Sequence, residues 1–156
     1  MPILQVEMIK PQDKNSPELT MQVLNNLATF LIPMNQVRDA YGFPMIVDSG
    51  WRTQAENKAC GGAFASKHLL GLACDIQDLD GKLWSWVLTS LGFMQAQNLY
   101  FEDKRWTPDW VHFQLGAPGS GHRIFIPNRE PPVAPGDWNG VYDPKFDGDA
   151  PVGTTV

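Results

Sequence analysis

Cysteine, histidine and long apolar runs are all scarce in this chain, and each scarcity narrows what it can be. Cys60 and Cys74 are the only cysteines among 156 residues. Two cysteines make no disulfide framework, so an apolar core has to hold the fold, and the thiols are expected to be reduced. Cys74 reads as a core residue rather than a ligand. No apolar segment is long enough to span a bilayer, because Pro33 and polar residues interrupt the best candidate. The first residues, Met-Pro-Ile-Leu-Gln-Val-Glu-Met, lack a basic region followed by an apolar run, so no secretory signal is expected. No Lys/Arg run occurs, and a net charge of -5 argues against nucleic acid as a partner. Internal repeats and low-complexity segments are absent too.

What remains is a soluble-type composition, with 43% hydrophobic residues and a mean hydropathy of -0.25. A chain of 156 residues suggests one domain with an adequate core. Residues 1–15 read as an irregular or strand-like lead. Ser16-Pro17-Glu18 resembles a helix start, with a serine cap, proline at the first position and an acid in the first turn. Leu19, Val23, Leu24, Leu27, Phe30 and Leu31 then recur at helical spacing. Pro33 is expected to end or kink that helix, and a second helical piece, Asn35 to Tyr41, to close at Gly42. Pro44 to Asp48 reads as a strand, and Cys60 to Ser66 as a small-residue loop suited to close approach of a ligand.

Leu72 to Gln77 reads as a strand, Asp78 to Gly81 as a turn, and Leu83 to Leu91 as a helix ended by Gly92. Gln97 to Glu102 and Trp110 to Leu115 read as antiparallel strands around a polar loop. From Ala117 onward Pro, Gly and Asp dominate, and Phe125, Trp138 and Tyr142 are candidates to hold this wrap down. The expected organisation is a domain over 1–126, its motif core at 45–115, with a Pro/Gly-rich extension over 127–156. Helix first and hairpins later indicates an α+β class: a small antiparallel sheet with flanking helices and an irregular C-terminal tail.

Strand alternation says most about chemistry. Ala73, Asp75 and Gln77 share one face of the first of these strands, and Leu72, Cys74 and Ile76 the other. Trp110, His112 and Gln114 oppose Val111, Phe113 and Leu115 in the same way. Both strands have an apolar back and a polar front, with Asp75 and His112 mid-front. His68, before the Gly71 turn, can fold over that face. Each residue has a bland reading as a satisfied polar group. Together, two histidines and a carboxylate form a three-ligand set that leaves a zinc coordination position open, as catalytic sites require.

These residues also carry a resemblance. Ser66-x-His68-x-x-Gly71-x-Ala73-x-Asp75, preceded by Ser49-Gly50-Trp51-Arg52-Thr53 and followed by Trp110-Val111-His112, resembles the zinc D-alanyl-D-alanine carboxypeptidase and dipeptidase family. That family includes phage endolysins and shares its fold with the hedgehog signalling domain. The resemblance covers roughly residues 45–115. It implies a hedgehog/DD-peptidase-like fold and a Zn2+ cofactor held by His68, Asp75 and His112. It also implies that Arg52 steadies the substrate or oxyanion, and that Ser66 contacts substrate or supports the first ligand. Relatives place the general base either three residues before the last histidine, here Asp109, or at the end of the preceding strand, here Glu102 in Tyr100-Phe101-Glu102. His122 matches no ligand position.

The function so implied is zinc-dependent hydrolysis of peptidoglycan stem peptides or cross-links, as in a phage endolysin. The alternatives are a non-catalytic zinc-stabilised binding module or a virion-associated structural protein. Expected partners are a peptidoglycan peptide and neither nucleic acid nor membrane, with the chain a monomer. It would be made in a host cytoplasm and reach the wall after release or as part of a virion.

Overall fold

In the structure, a computed structural model, residues 2–119 and 121–127 are described. Trp138 and Tyr142 lie outside them. The lead is two short 3-10 turns, Gln5–Met8 and Pro11–Asp13, and not a strand. Helix α1 spans Met21–Tyr41. It starts later than Ser16-Pro17-Glu18 suggests because Thr20 takes the cap, its hydroxyl accepting from the Val23 N–H at 3.3 Å. The Ser16 hydroxyl is spent instead on the Glu18 N–H, in a turn that precedes the helix.

Pro33 neither ends nor divides α1. The buried stripe Val23, Leu27, Phe30, Leu31, Met34 and Val37 runs in phase across it, and Pro33 is itself buried. Burial of six apolar side chains at about 1.5–3 kcal/mol each outweighs the roughly 3 kcal/mol cost of an internal proline. Gly42 does close the helix, in the left-handed conformation with φ 78°, its N–H bonded to the Arg38 carbonyl.

Five strands form one sheet: β1 Val47–Ser49, β2 Ala73–Gln77, β3 Leu99–Glu102, β4 Trp110–Leu115 and β5 Ile124–Phe125. Their order is β1-β2-β4-β3-β5. All pairs are antiparallel except β3 with β5, which is parallel. This corrects a purely antiparallel expectation. β5 is a two-residue strand in a Pro/Gly-rich stretch, and it is defined only by its partner.

Between the strands lie α2 Gln54–Ala59, α3 Lys67–Leu70, α4 Lys82–Thr89 and α5 Leu91–Ala96. Gly92 sits inside α5 rather than ending a helix. The chain breaks at Ser90, so that Leu91 and Met94 can turn into the core. The core fills the space between α1 and the back of the sheet. Leu27, Phe30, Met34 and Val37 meet Cys74, Ile76, Leu99, Phe101, Val111 and Phe113 there, all buried. Cys74 is thus a core residue, and burial pushes its thiol up. Among the described residues, no helix is long and apolar enough to cross a membrane.

α1 also props up the short helix that carries His68. The Asn26 amide donates to the Leu70 carbonyl at 2.8 Å. Gly71, the left-handed cap of α3, fits so closely under α1 that a Cβ there would stand 3.0 Å from the Val23 carbonyl oxygen.

Candidate metal centre and its cleft

The pairing of β2 with β4 sets Asp75 directly opposite His112. Both point to the front of the sheet, as alternation requires, while Cys74 pairs with Phe113 on the back. His68 reaches the same point from α3. Ser66 caps that helix, its hydroxyl accepting from the His68 N–H at 3.2 Å. Trp51 braces it from beneath, its indole N–H donating to the Leu69 carbonyl at 3.1 Å. His68, Asp75 and His112 are all buried, and one ligand atom from each lies within 4.8 Å of the others.

The hydrogen bonds fix which ring atoms face inward. His68 Nδ1–H donates to the Gly50 carbonyl at 2.7 Å, which leaves the Nε2 lone pair 3.3 Å from Asp75 Oδ1. The Gln114 amide donates to the Gly116 carbonyl, so its Oε1 accepts from His112 Nε2–H at 3.1 Å. His112 Nδ1 then faces Asp75 Oδ1 at 2.9 Å. Two nitrogen lone pairs and a carboxylate oxygen converge on one spot, an arrangement that only a cation or a proton between them stabilises. Burial opposes ionisation of Asp75, yet the charge of His68 and the hydrogen bonds of both histidines hold its carboxyl far below the usual range. Burial likewise opposes charge on His112, but the Glu102 charge and the Asp75 bond outweigh it and push this imidazole up to about 9. The donor set therefore fits zinc, with both histidines oriented by outer partners as metal-binding imidazoles are.

Above the three residues opens a cleft of about 1230 Å³. Arg52, Ser66, Lys67, Glu102 and Phe125 line it, together with the Gly62–Ser66 loop. Glu102 closes β3, one residue beyond the Phe101–Phe113 pair, so it comes level with His112. Asp109 is exposed, does not line the cleft, and offers its carbonyl to the Asp78 N–H at 2.8 Å. Arg52 donates through Nη2 to Asp75 Oδ2 at 2.9 Å and through Nε to Ser49 at 2.9 Å. It thus steadies a ligand carboxylate while its other N–H groups remain at the cleft wall. His122 lies in the loop before β5.

Sequence reasoning missed Gln114 and the Gly50 carbonyl. Gln114 was on the polar face beside His112, which was its one signal. Gly50 has no room for a side chain, since an added Cβ would overlap the Met8 backbone. Gly50→Ala is therefore expected to cost about 1–3 kcal/mol. It should also loosen His68 and weaken metal affinity roughly 10–100-fold, the usual loss for an outer partner. Urea unfolding and a zinc titration check the two effects; an unchanged midpoint would show that the Met8 contact carries no weight.

A buried His-Asp-His cluster with the spacing to hold a metal ion, and a carboxylate beside it, thus lies at the floor of a cleft on an α+β sheet. The chain itself belongs to the peptidase M15 family, whose profile matches residues 4–106. That span holds His68 and Asp75 and stops short of His112, which the sheet register supplies. Among curated proteins none matches the sequence. Among solved structures, the crystal structure of the Serratia marcescens L-Ala D-Glu endopeptidase ChiX is similar, at 18% identity and a TM-score of 0.43. The similarity covers 66% of this chain and 94% of that one.

Proposed function

We propose that the protein is a zinc-dependent peptidase that hydrolyses peptidoglycan stem peptides or cross-links, and that it serves as a phage endolysin. The observation that carries the reading is the inward convergence of His68 Nε2, Asp75 Oδ1 and His112 Nδ1 beneath the cleft. Membership of the peptidase M15 family supports it. Zinc bound there would polarise a peptide carbonyl and lower the pKa of water to about 7.

The chain's own residues supply the rest. Glu102 takes a proton from the attacking water and returns it to the leaving nitrogen. Arg52 holds the Asp75 carboxylate in place and offers its remaining N–H groups to the developing oxyanion. Ser66 fixes the backbone that presents His68. The Gly62–Ser66 loop and Phe125 form part of the cleft wall along which the peptide would lie.

Incubation of the purified, zinc-loaded protein with peptidoglycan should release new free amines, and EDTA should abolish the release. Mass spectrometry of the products then assigns the bond. One equivalent of zinc without any release of amines would leave a binding module and overturn the peptidase reading.

A further inference from the structure

The charges around the cleft are unevenly placed. Its carboxylates, Asp48, Asp75 and Glu102, gather near the level of His112. Among the described residues, Arg52 and Lys67 are its lysine and arginine side chains. Arg52 is committed to Asp75 and Ser49. Lys67 is not committed: among the described residues its ammonium has neither an ion pair nor a hydrogen bond. Lys10, Lys82, Lys104 and Arg105, by contrast, each hold a carboxylate.

The placement of Lys67 is set by structure. It is the first residue of α3, between the capping Ser66 and His68. Its carbonyl accepts from the Leu72 N–H at 3.0 Å, so the backbone beneath it cannot shift without moving His68. Its side chain is half-buried, and Nζ would lie 3.8 Å from a Cβ added at Gly116, just past the end of β4. Gly116 is four residues along the chain from His112, about 13 Å at strand rise. The carboxylates of the cleft therefore cluster around the three ligands, while Lys67 stands apart at one end. Arg52 pairs with Asp75 there, whereas no carboxylate among the described residues pairs with Lys67. A cation on a cleft wall with no partner among the described residues can receive an anionic group of a ligand.

We propose that Lys67 is a substrate anchor that binds a substrate carboxylate at the β4 end of the cleft. The inference rests on the peptidase reading and deepens it, since it makes the substrate an acidic peptide laid toward the β4 end of the cleft. Either a free C-terminal carboxylate or the free carboxylate of an internal glutamate supplies that chemistry.

The test uses one synthetic stem pentapeptide in three forms: all carboxylates free, the C-terminus amidated, or the glutamate carboxylate amidated. The zinc-loaded wild type should prefer the free acid over one of the amides by roughly tenfold in kcat/KM, the worth of one charge-assisted hydrogen bond. The amide that suffers identifies the source. Lys67→Gln should bring that ratio to about one at unchanged zinc content, and Lys67→Arg should retain most of it. Calorimetric binding of the same peptides reads the preference even where no bond is cut, so failure of the peptidase reading stays separate. Equal handling of all three forms by the wild type, or a preference that survives in Lys67→Gln, would overturn the anchor.

Discussion

Replacing His112 by alanine is expected to empty the metal centre and to lower kcat/KM by at least about 10³-fold. The magnitude follows from losing several kcal/mol of charge stabilisation at 1.36 kcal/mol per tenfold. His112 is held at both nitrogens, by Asp75 on one side and Gln114 on the other. No neighbouring side chain among the described residues can take its place, since the one cluster with metal-ligand spacing there is His68, Asp75 and His112. Two ligands remain in the variant, too few to hold zinc through dialysis. The fold should survive, because Asp75 keeps Arg52 on its other oxygen and is not left as an unpaired buried charge. The variant should still unfold cooperatively in urea, on the order of 1–3 kcal/mol less stable for the buried ring it lacks. Elemental analysis after dialysis is the deciding measurement. One equivalent of zinc retained by the alanine variant would refute the ligand assignment.

The shared placement of Asp75 and His112 was legible in the sequence, because alternation in a strand has a period of two and a polar residue mid-strand can face only one way. Asp75 and His112 sit at equivalent places in two such strands, and the register pairs them. Glu102 was legible for the same reason, since a hairpin of 97–102 against 110–115 places it beside His112, and the Phe101–Phe113 pairing does so. Helix ends were harder. Ser16-Pro17-Glu18 and Thr20 compete for one cap, and sequence alone does not say which hydroxyl reaches an N–H. Pro33 was misleading because propensity is local and the burial that overrides it is not. Thr53-x-x-Glu56 is the one local signal that residues 54–59 are helical, and both halves of that capping box form. β5, the Arg52–Asp75 pair and the Gly50 carbonyl under His68 are contacts between distant parts of the chain. No pattern along the sequence encodes them, so only the folded chain displays them.

The choice between Glu102 and Asp109 shows what register adds to motif. In sequence both carboxylates stand near the last ligand, and Asp109 is the nearer. In space Glu102 lines the cleft and its charge bears on His112, while Asp109 is exposed on the strand's approach. Glu102→Gln is accordingly expected to lower kcat by about 10²–10⁴-fold, the range for removing a general acid–base group. The change keeps the side-chain volume, so packing at the end of β3 should persist. It removes the proton acceptor together with the charge that bears on His112; the three ligands themselves are untouched, so zinc should still bind at one equivalent. Asp109→Asn should keep most of the wild-type rate, because the residue lies outside the cleft lining and is exposed. Both variants belong in one assay of amine release, with zinc content measured alongside. A Glu102→Gln enzyme that turns over normally while Asp109→Asn is dead would reverse the assignment and move the base to the loop before β4. A dead Glu102→Gln enzyme without zinc would instead show that this carboxylate supports the metal rather than moving a proton.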